Sequence, residues 1–583
     1  MNENHYFVAI NETFSDTLTA LGLQHILSEL LEKQGDPPGG IQYVDCGGYI
    51  QLELVTPIRA ETVAALNEDN YIMGGVRFIR TLKNTDSLPE DLPDGRINDY
   101  EALKAENAQF YEAIRQGKQG NDLPPKPLAW DVLRTINPAA LPGWTSVLAD
   151  WWHLRPVQST VIGLMLELYS QLPNPVDEAI DHWKRLNKEY GWGVSESATC
   201  QQFFNPDQGK GQNRTKADAV SVGNMKGFWL TEFLKMVGFY NDAITKTVAG
   251  GKDRKIFVIA PRNMNFGRYQ AVMEQFKPTV TSEASIRFDI LAALRYVRVL
   301  LAHFREREDA LAAIMGINIQ HELVGGFHTA FYLDLGNAVA TMNVSSIALP
   351  GWIMIANESD IPDYDAILDE LIRFTRQFEE KNSDAFRLLG HLRDFVSGDD
   401  LTAFFQLTSA FSSFYIGQRE RGKYAYQLTT STIERIISMT EPKLADILQT
   451  EGFKNIAYAI RHSTVIPQYR KASGDRLYVI RYGLGQDLTR VARKGKEMQF
   501  IAALSEFIHK YNAENARVYE VRNVQYRRNV TTHDIEEITA LIDRYDAPTI
   551  AQMLVAYGYA RMPKEDAEDD VPADDDTISD DLD

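Results

Sequence analysis

Cysteine is nearly absent from this 583-residue sequence, which has only Cys46 and Cys200. That excludes a disulfide framework and a cysteine-based zinc site. No apolar run is long enough to span a bilayer. The opening MNENHYFVAIN lacks the basic-then-apolar pattern of a secretory leader. The expectation is a soluble, cytoplasmic protein with no membrane partner. Compact catalytic signatures are missing as well. GKGQNRTK at 209–216 has the glycine and lysine of a phosphate loop but not its spacing. There is no HExxH, and Asp181–His182 lacks the dispersed partners of a metal phosphohydrolase. His321 and His328 read as ordinary polar positions. SGDD at 397–400 lies between helical patterns and reads as a turn and helix cap, with no hairpin to present its carboxylates. Nothing here argues for an enzyme, and the residues call for no metal and no cofactor.

Positive charge is scarce overall but concentrated in one place. The net charge is −20, and Lys564–Asp583 alone has eleven acids against one lysine. Such a run reads as a disordered, solvated tail. Between Met439 and Met562 eighteen Lys/Arg face fourteen Asp/Glu, and within Arg461–Arg528 fourteen face six. Residues 1–438 carry a net of −14.

A chain of this length exceeds one core and divides into several domains. HYFVAIN alternates as a strand, and Ser15 is placed to cap a helix striped by Leu23, Ile26, Leu27, Leu30 and Leu31. IQYVDCGGYIQLEL folds back about Gly47–Gly48. Residues 84–99 and 117–127 read as loops around a short helix. A mainly helical stretch follows, with a helix from Met225 stacking Trp229, Phe233 and Val237, a buried strand at 255–261 and a hairpin within 328–350. Helical patterns then run from 363 to 437. The last module repeats period-3.6 spacing at 484–494, 498–511, 534–545 and 547–557, with Thr531 and Asp534 as a capping pair. The fold class is α+β, predominantly α, with mixed α/β N-terminal and central regions and a C-terminal α-helical bundle. The expected divisions are 1–130, 131–360, 361–438, 439–562 and the tail 563–583.

Two features point to binding. The stretch RYGLGQDLTRVARKGK, read as a helix from Leu484, gathers Arg490, Arg493 and Lys494 on one face. With Arg470, Lys471, Arg481, Lys496, Arg527 and Arg528 it forms a cationic set suited to a sugar–phosphate backbone. The second is the loop 205–224, whose Lys210, Gln212, Asn213, Arg214, Lys216 and Asn224 are side-chain types that reach base edges.

The C-terminal run from EGFKNIAYAIRHST to QMLVAYGYAR resembles the small-subunit-like helical region of type I CRISPR Cascade large subunits. FSDTLTALGLQHILSELLE and VGNMKGFWLTEFLKMVGFY are also similar to that family, and subtype B with its transposon-associated relatives is nearest. The resemblance implies a non-catalytic subunit that checks the protospacer-adjacent motif and helps open the duplex for R-loop formation. It implies crRNA, target double-stranded DNA, the displaced single strand and the other Cascade subunits (backbone, 5′-handle-binding and small) as partners. It further implies recruitment of a helicase–nuclease or a transposition adaptor. Sequence specificity would then lie in guide pairing, leaving the protein shape, backbone and a short motif to read. In some relatives the small subunit arises by internal translation, and Met439 would start a 145-residue product here. The competing expectations are a nuclease with dispersed carboxylates and a helical protein–protein scaffold.

Overall fold

The computed structural model describes residues 4–562 except 11–13, 119, 207–224, 249–250, 307–313, 337–338, 399–400, 473 and 475–476. Helices account for 58% of the described residues, beside several small sheets, so the fold is α+β and predominantly α. The expected tail lies outside the described residues. Two compact units form. One comprises Met1–Ser285 and Ile319–Leu349, and the other Ile286–Asn318 and the chain from Pro350 to the end of the described residues. The divisions expected at 130, 360 and 438 fall inside these units.

Among its described residues the first unit has twelve strands and the helices against them. β1 (His5–Ala9), β2 (Ile41–Asp45), β3 (Tyr49–Leu54) and β10 (Asn263–Asn265) make an antiparallel sheet in the order β1-β3-β2-β10. The β2–β3 turn passes through Gly47 at φ +84°, a conformation that favours glycine. A second sheet runs β12-β11-β9-β8, from β8 (Ile244–Thr247), β9 (Arg254–Pro261), β11 (Val324–Asp334) and β12 (Val339–Ala348). Two-stranded pairs join β4 (Phe78–Arg80) to β5 (Ile97–Asp99) and β6 (Ser197–Thr199) to β7 (Lys226–Phe228). Helix α1 (Phe14–Lys33) lies backbone to backbone on α2 (Trp229–Asp242). A Cβ on Gly22 would stand 2.0 Å from the Leu234 carbonyl oxygen, and one on Gly238 2.2 Å from that of Leu18. Only glycine permits that approach. Trp229, Phe233 and Val237 are buried as the spacing predicts, with Trp151 stacked on Phe233 at 4.0 Å.

The second unit is helical. Its longer described helices are α3 (Ser285–Arg305), α4 (Asp360–Arg376), α5 (Ser383–Val396), α6 (Thr402–Glu420), α7 (Thr430–Thr440), α8 (Glu451–Arg461), α9 (Val465–Ala472), α10 (Leu484–Val491), α11 (Glu497–Arg522), α12 (Thr532–Tyr545) and α13 (Ala547–Gly558). α13 packs on α6 and α8, and α10 lies across α6 and α13. Met439 is half-buried in the last turn of α7, so it falls within a helix of this unit.

Several boundaries differ from expectation. Ser15 sits inside α1 rather than at its cap, buried, with its carbonyl accepting the Thr19 hydroxyl. α2 begins at Trp229, because Lys226–Phe228 pairs as β7 with β6 before the helix starts. α10 stops at Val491, because Ala492 turns extended and is buried. α11 runs well past 511 to Arg522, since no glycine or proline interrupts it before Asn523 closes it at φ +52°. The capping box of Thr531 and Asp534 is present as predicted.

Candidate nucleic-acid interface

The cationic segment divides into inward and outward groups. On α11, Phe500, Leu504, Phe507, Tyr511 and Val518 line the buried side, and Glu514 falls on that stripe. Its carboxylate takes Arg527 at 3.4 Å, Arg481 at 3.5 Å and the Val479 N–H at 2.7 Å. Arg527 is only 3% exposed and lies over the Tyr478 ring at 3.2 Å. Burial holds its pKa down at about 10, against the opposing pull of Tyr511 and Glu514. It remains charged at neutral pH. Arg461 is likewise buried and donates to the carbonyls of Tyr557 at 2.5 Å and Ala560 at 3.0 Å. It thereby caps the C-terminal end of α13, where unpaired carbonyls favour a cation.

Arg527 and Arg481, expected on a phosphate-binding face, are therefore braces of the bundle. Their placement corrects the sequence reading: an acid on the apolar stripe draws both guanidinium groups inward, since a buried carboxylate requires paired donors.

The outward group sits at the corner between α10 and α11. Gly485 lets α10 lie flat, since a Cβ there would meet Tyr559 at 3.0 Å and Ser412 at 3.1 Å. Leu488 is buried on the same side, so Arg490 faces solvent, 70% exposed. It holds Asp487 at 2.6 Å within the helix. Arg493, Lys494 and Lys496 follow in the exposed turn, where Arg493 and Lys494 were expected on the helix, and Gly495 at φ +77° makes that turn possible. Among the described residues no carboxylate lies within ion-pair distance of these three. The Glu497 carboxylate faces its own backbone N–H and the Gly495 N–H at 2.8 Å, and these, with the charge of nearby Lys494, hold its pKa below the usual range.

Aromatic rings accompany the remaining cations. Arg528 is exposed and sits over Tyr458 at 4.2 Å, and Tyr458 stacks on His462 at 3.7 Å. Burial, reinforced by Arg527, Arg461 and Arg470, pushes the His462 pKa to about 3 despite its bond to the Tyr458 carbonyl, so its imidazole is neutral. Lys471 donates to the Tyr482 hydroxyl at 3.3 Å. Arg470, half-buried, lines a narrow cleft with His462, Tyr478 and Tyr526. Tyr482 and Tyr526 keep 44% and 37% of their surface exposed. Such rings beside cations are the elements of a surface for unpaired bases. Sequence reasoning missed them because tyrosines at 458, 482 and 526 share no periodicity.

The expected motif-reading residues Lys210, Gln212, Asn213, Arg214, Lys216 and Asn224 lie outside the described residues. The flanks of that segment are tightly joined. β6 pairs with β7, the Cys200 N–H bonds the Met225 carbonyl at 3.0 Å, and Asn205 bridges to α2. The Asn205 amide donates to Glu232 at 2.8 Å and accepts from Lys235 at 2.6 Å, and Lys235 also reaches Glu232 at 2.9 Å. All three are buried. An ion pair taken from water persists only when its polar atoms are satisfied, and Asn205 supplies that.

Elsewhere the polar candidates behave as solvated or structural groups. Asp181 meets Lys184 on an exposed helix face, and His182 approaches Glu167 at 3.9 Å. The His321 carbonyl accepts from Arg262, and His328 is a strand residue whose pKa burial lowers. Ser397 and Gly398 close α5, while Asp399 and Asp400 lie outside the described residues. Among the described residues no three His, Cys, Asp or Glu are grouped to hold a metal, and no helix is long and apolar enough to cross a membrane.

No protein-family model matches this chain. An uncharacterized protein of Archaeoglobus fulgidus is 28% identical over 128 residues, which is 22% of this chain and 92% of that protein. A stretch of this chain is thus similar to nearly the whole of a separate archaeal polypeptide.

Proposed function

We propose that this protein is the non-catalytic large subunit of a crRNA-guided, DNA-targeting assembly of the type I CRISPR Cascade kind. In this reading it recognises a short motif in duplex DNA, supports opening of the duplex and recruits the effector helicase–nuclease or transposition factor. The observation that carries the proposal is the sorting of the C-terminal cations. Arg461, Arg481 and Arg527 are committed to the bundle, whereas Arg490, Arg493, Lys494 and Lys496 are exposed together on one corner. Clustered outward cations neutralise phosphates by releasing counterions and need no base contact to do so. The clamped flanks of 207–224 support a motif-reading role for that segment, because a loop that reads DNA requires a rigid base.

The test begins with purification from the native host, where the chain is expected to carry a short RNA of constant 5′ sequence. In the assembled complex, replacing all four corner cations by Ala should weaken DNA binding and flatten its salt dependence. Purification without RNA, or an unchanged salt slope, would reject the proposal. Met439 belongs to the same reading as the start of a separately translated small subunit. Such a product would lack α6 and all of α7 but its last two residues, and with them the surface they bury on α10 and α13.

A further inference from the structure

We propose that the acidic segment Lys564–Asp583 docks on the cationic corner of its own bundle, Arg490, Arg493, Lys494 and Lys496, and masks it until nucleic acid displaces it. The inference deepens the proposed function by adding regulation to the same surface, and it rests on that reading.

The argument starts from where the described chain ends. Tyr559, just after α13, is buried against Gly485 in the first turn of α10. Arg561 then anchors the chain, its N–H bonding the Leu428 carbonyl at 2.9 Å and its carbonyl accepting from Thr430 at 2.9 Å. The first acid of the segment, Glu565, comes four residues later. From Gly485 to Arg490 the helix rises about 8 Å. Twenty residues of chain can span up to about 65 Å, so the corner is well within reach. Eleven carboxylates against one lysine leave the segment strongly anionic. Its few apolar side chains give it little to bury on its own.

The corner is the complementary surface. Arg493, Lys494 and Lys496 are exposed and outside ion-pair distance of any described carboxylate, and Asp487 is held by Arg490 alone. The cations nearer the bundle interior are already occupied by Glu514. Tethering places the acids near the corner at an effective concentration on the order of millimolar. A segment–corner dissociation constant of about 0.1 mM would then lower the apparent affinity for nucleic acid roughly tenfold. Bound carboxylates also take the place of counterions, so displacing them releases fewer ions and makes the salt dependence shallower.

Two measurements on the full chain test this. Zero-length carbodiimide coupling joins carboxylates to lysines in direct contact, and it should link the acidic segment to Lys494 or Lys496 in the absence of nucleic acid. Binding of a fluorescein-labelled oligodeoxynucleotide should be about tenfold tighter for the chain ending at Met562 than for the full chain at roughly 50 mM salt, with the two converging as salt rises. A chain whose segment has Asn and Gln in place of Asp and Glu should match the truncated one. Equal affinities with no cross-links at either lysine would overturn the docking and leave the proposed function standing. Cross-links accompanied by no oligonucleotide binding in either chain would overturn the proposed function and support the docking alone.

Discussion

The Glu514 centre and the α10–α11 corner draw on the same short stretch of sequence and put arginine to opposite uses. Arg527 and Arg528 are neighbours in the chain. One is buried on Tyr478 and Glu514, and the other is exposed over Tyr458. Charge counting cannot separate them. The difference comes from whether an acid stands on the apolar face opposite, because a guanidinium moves inward only where buried acceptors, here a carboxylate beside aromatic rings, replace its water.

Breaking the inner site should have the largest effect. Glu514→Ala leaves Arg527 and Arg481 without their carboxylate, and urea unfolding should report a loss of about 3–5 kcal/mol. An unchanged midpoint would mean the arginines escape to solvent and that the two regions do not differ as described. In the first unit, Lys235→Met strands buried Glu232 and should cost a similar amount, about 3–5 kcal/mol by the same assay.

The corner should respond in the reverse sense. Replacing Arg490, Arg493, Lys494 and Lys496 with Ala should leave stability within about 0.5 kcal/mol per site. It should also reduce the slope of log K against log salt in the assembled complex by about three. A large stability loss would make the corner a brace too.

His462 sharpens the comparison by pH. Its folded pKa of about 3 lies below the unfolded value of 6.5, so the unfolded state binds the extra proton between them. This contribution is fully present above pH 6.5 and is lost as pH falls toward 3. His462→Phe should flatten the decline in urea midpoint over that window, and an undiminished decline would place the titration elsewhere.

The smallest expected effect is at Asp487. Its exposed pairing with Arg490 is worth less than about 1 kcal/mol, so Asp487→Asn should barely move the midpoint while raising oligonucleotide affinity slightly. A marked destabilisation would show that the pair braces α10.

Much of this architecture was legible in local pattern. The strand at 255–261, the hairpin of β11 and β12, the α2 aromatic stack and the Thr531–Asp534 capping box all rest on near-neighbour periodicity or hydrogen bonding. The extents of α10 and α11 were less legible, because a buried Ala492 and an uninterrupted run to Arg522 carry no conspicuous stop signal where the expectation placed one. Of the candidate site, the exposed cations were readable and their company was not. Glu514, Tyr478, Tyr458 and Tyr482 come from separate segments that meet only in the fold. One signal was available: Glu514, Glu232 and Lys235 each interrupt an apolar stripe, and a charge in that position calls for a buried partner.

By itself the sequence determined the predominance of helix, the lack of a membrane-spanning helix among the described residues, and the concentration of positive charge between Arg461 and Arg528. These follow from composition and from spacings of two to four residues. Only the tertiary structure decided which cations face water. That choice depends on desolvation and on partners brought from distant parts of the chain, and neither is encoded at the position of the cation itself.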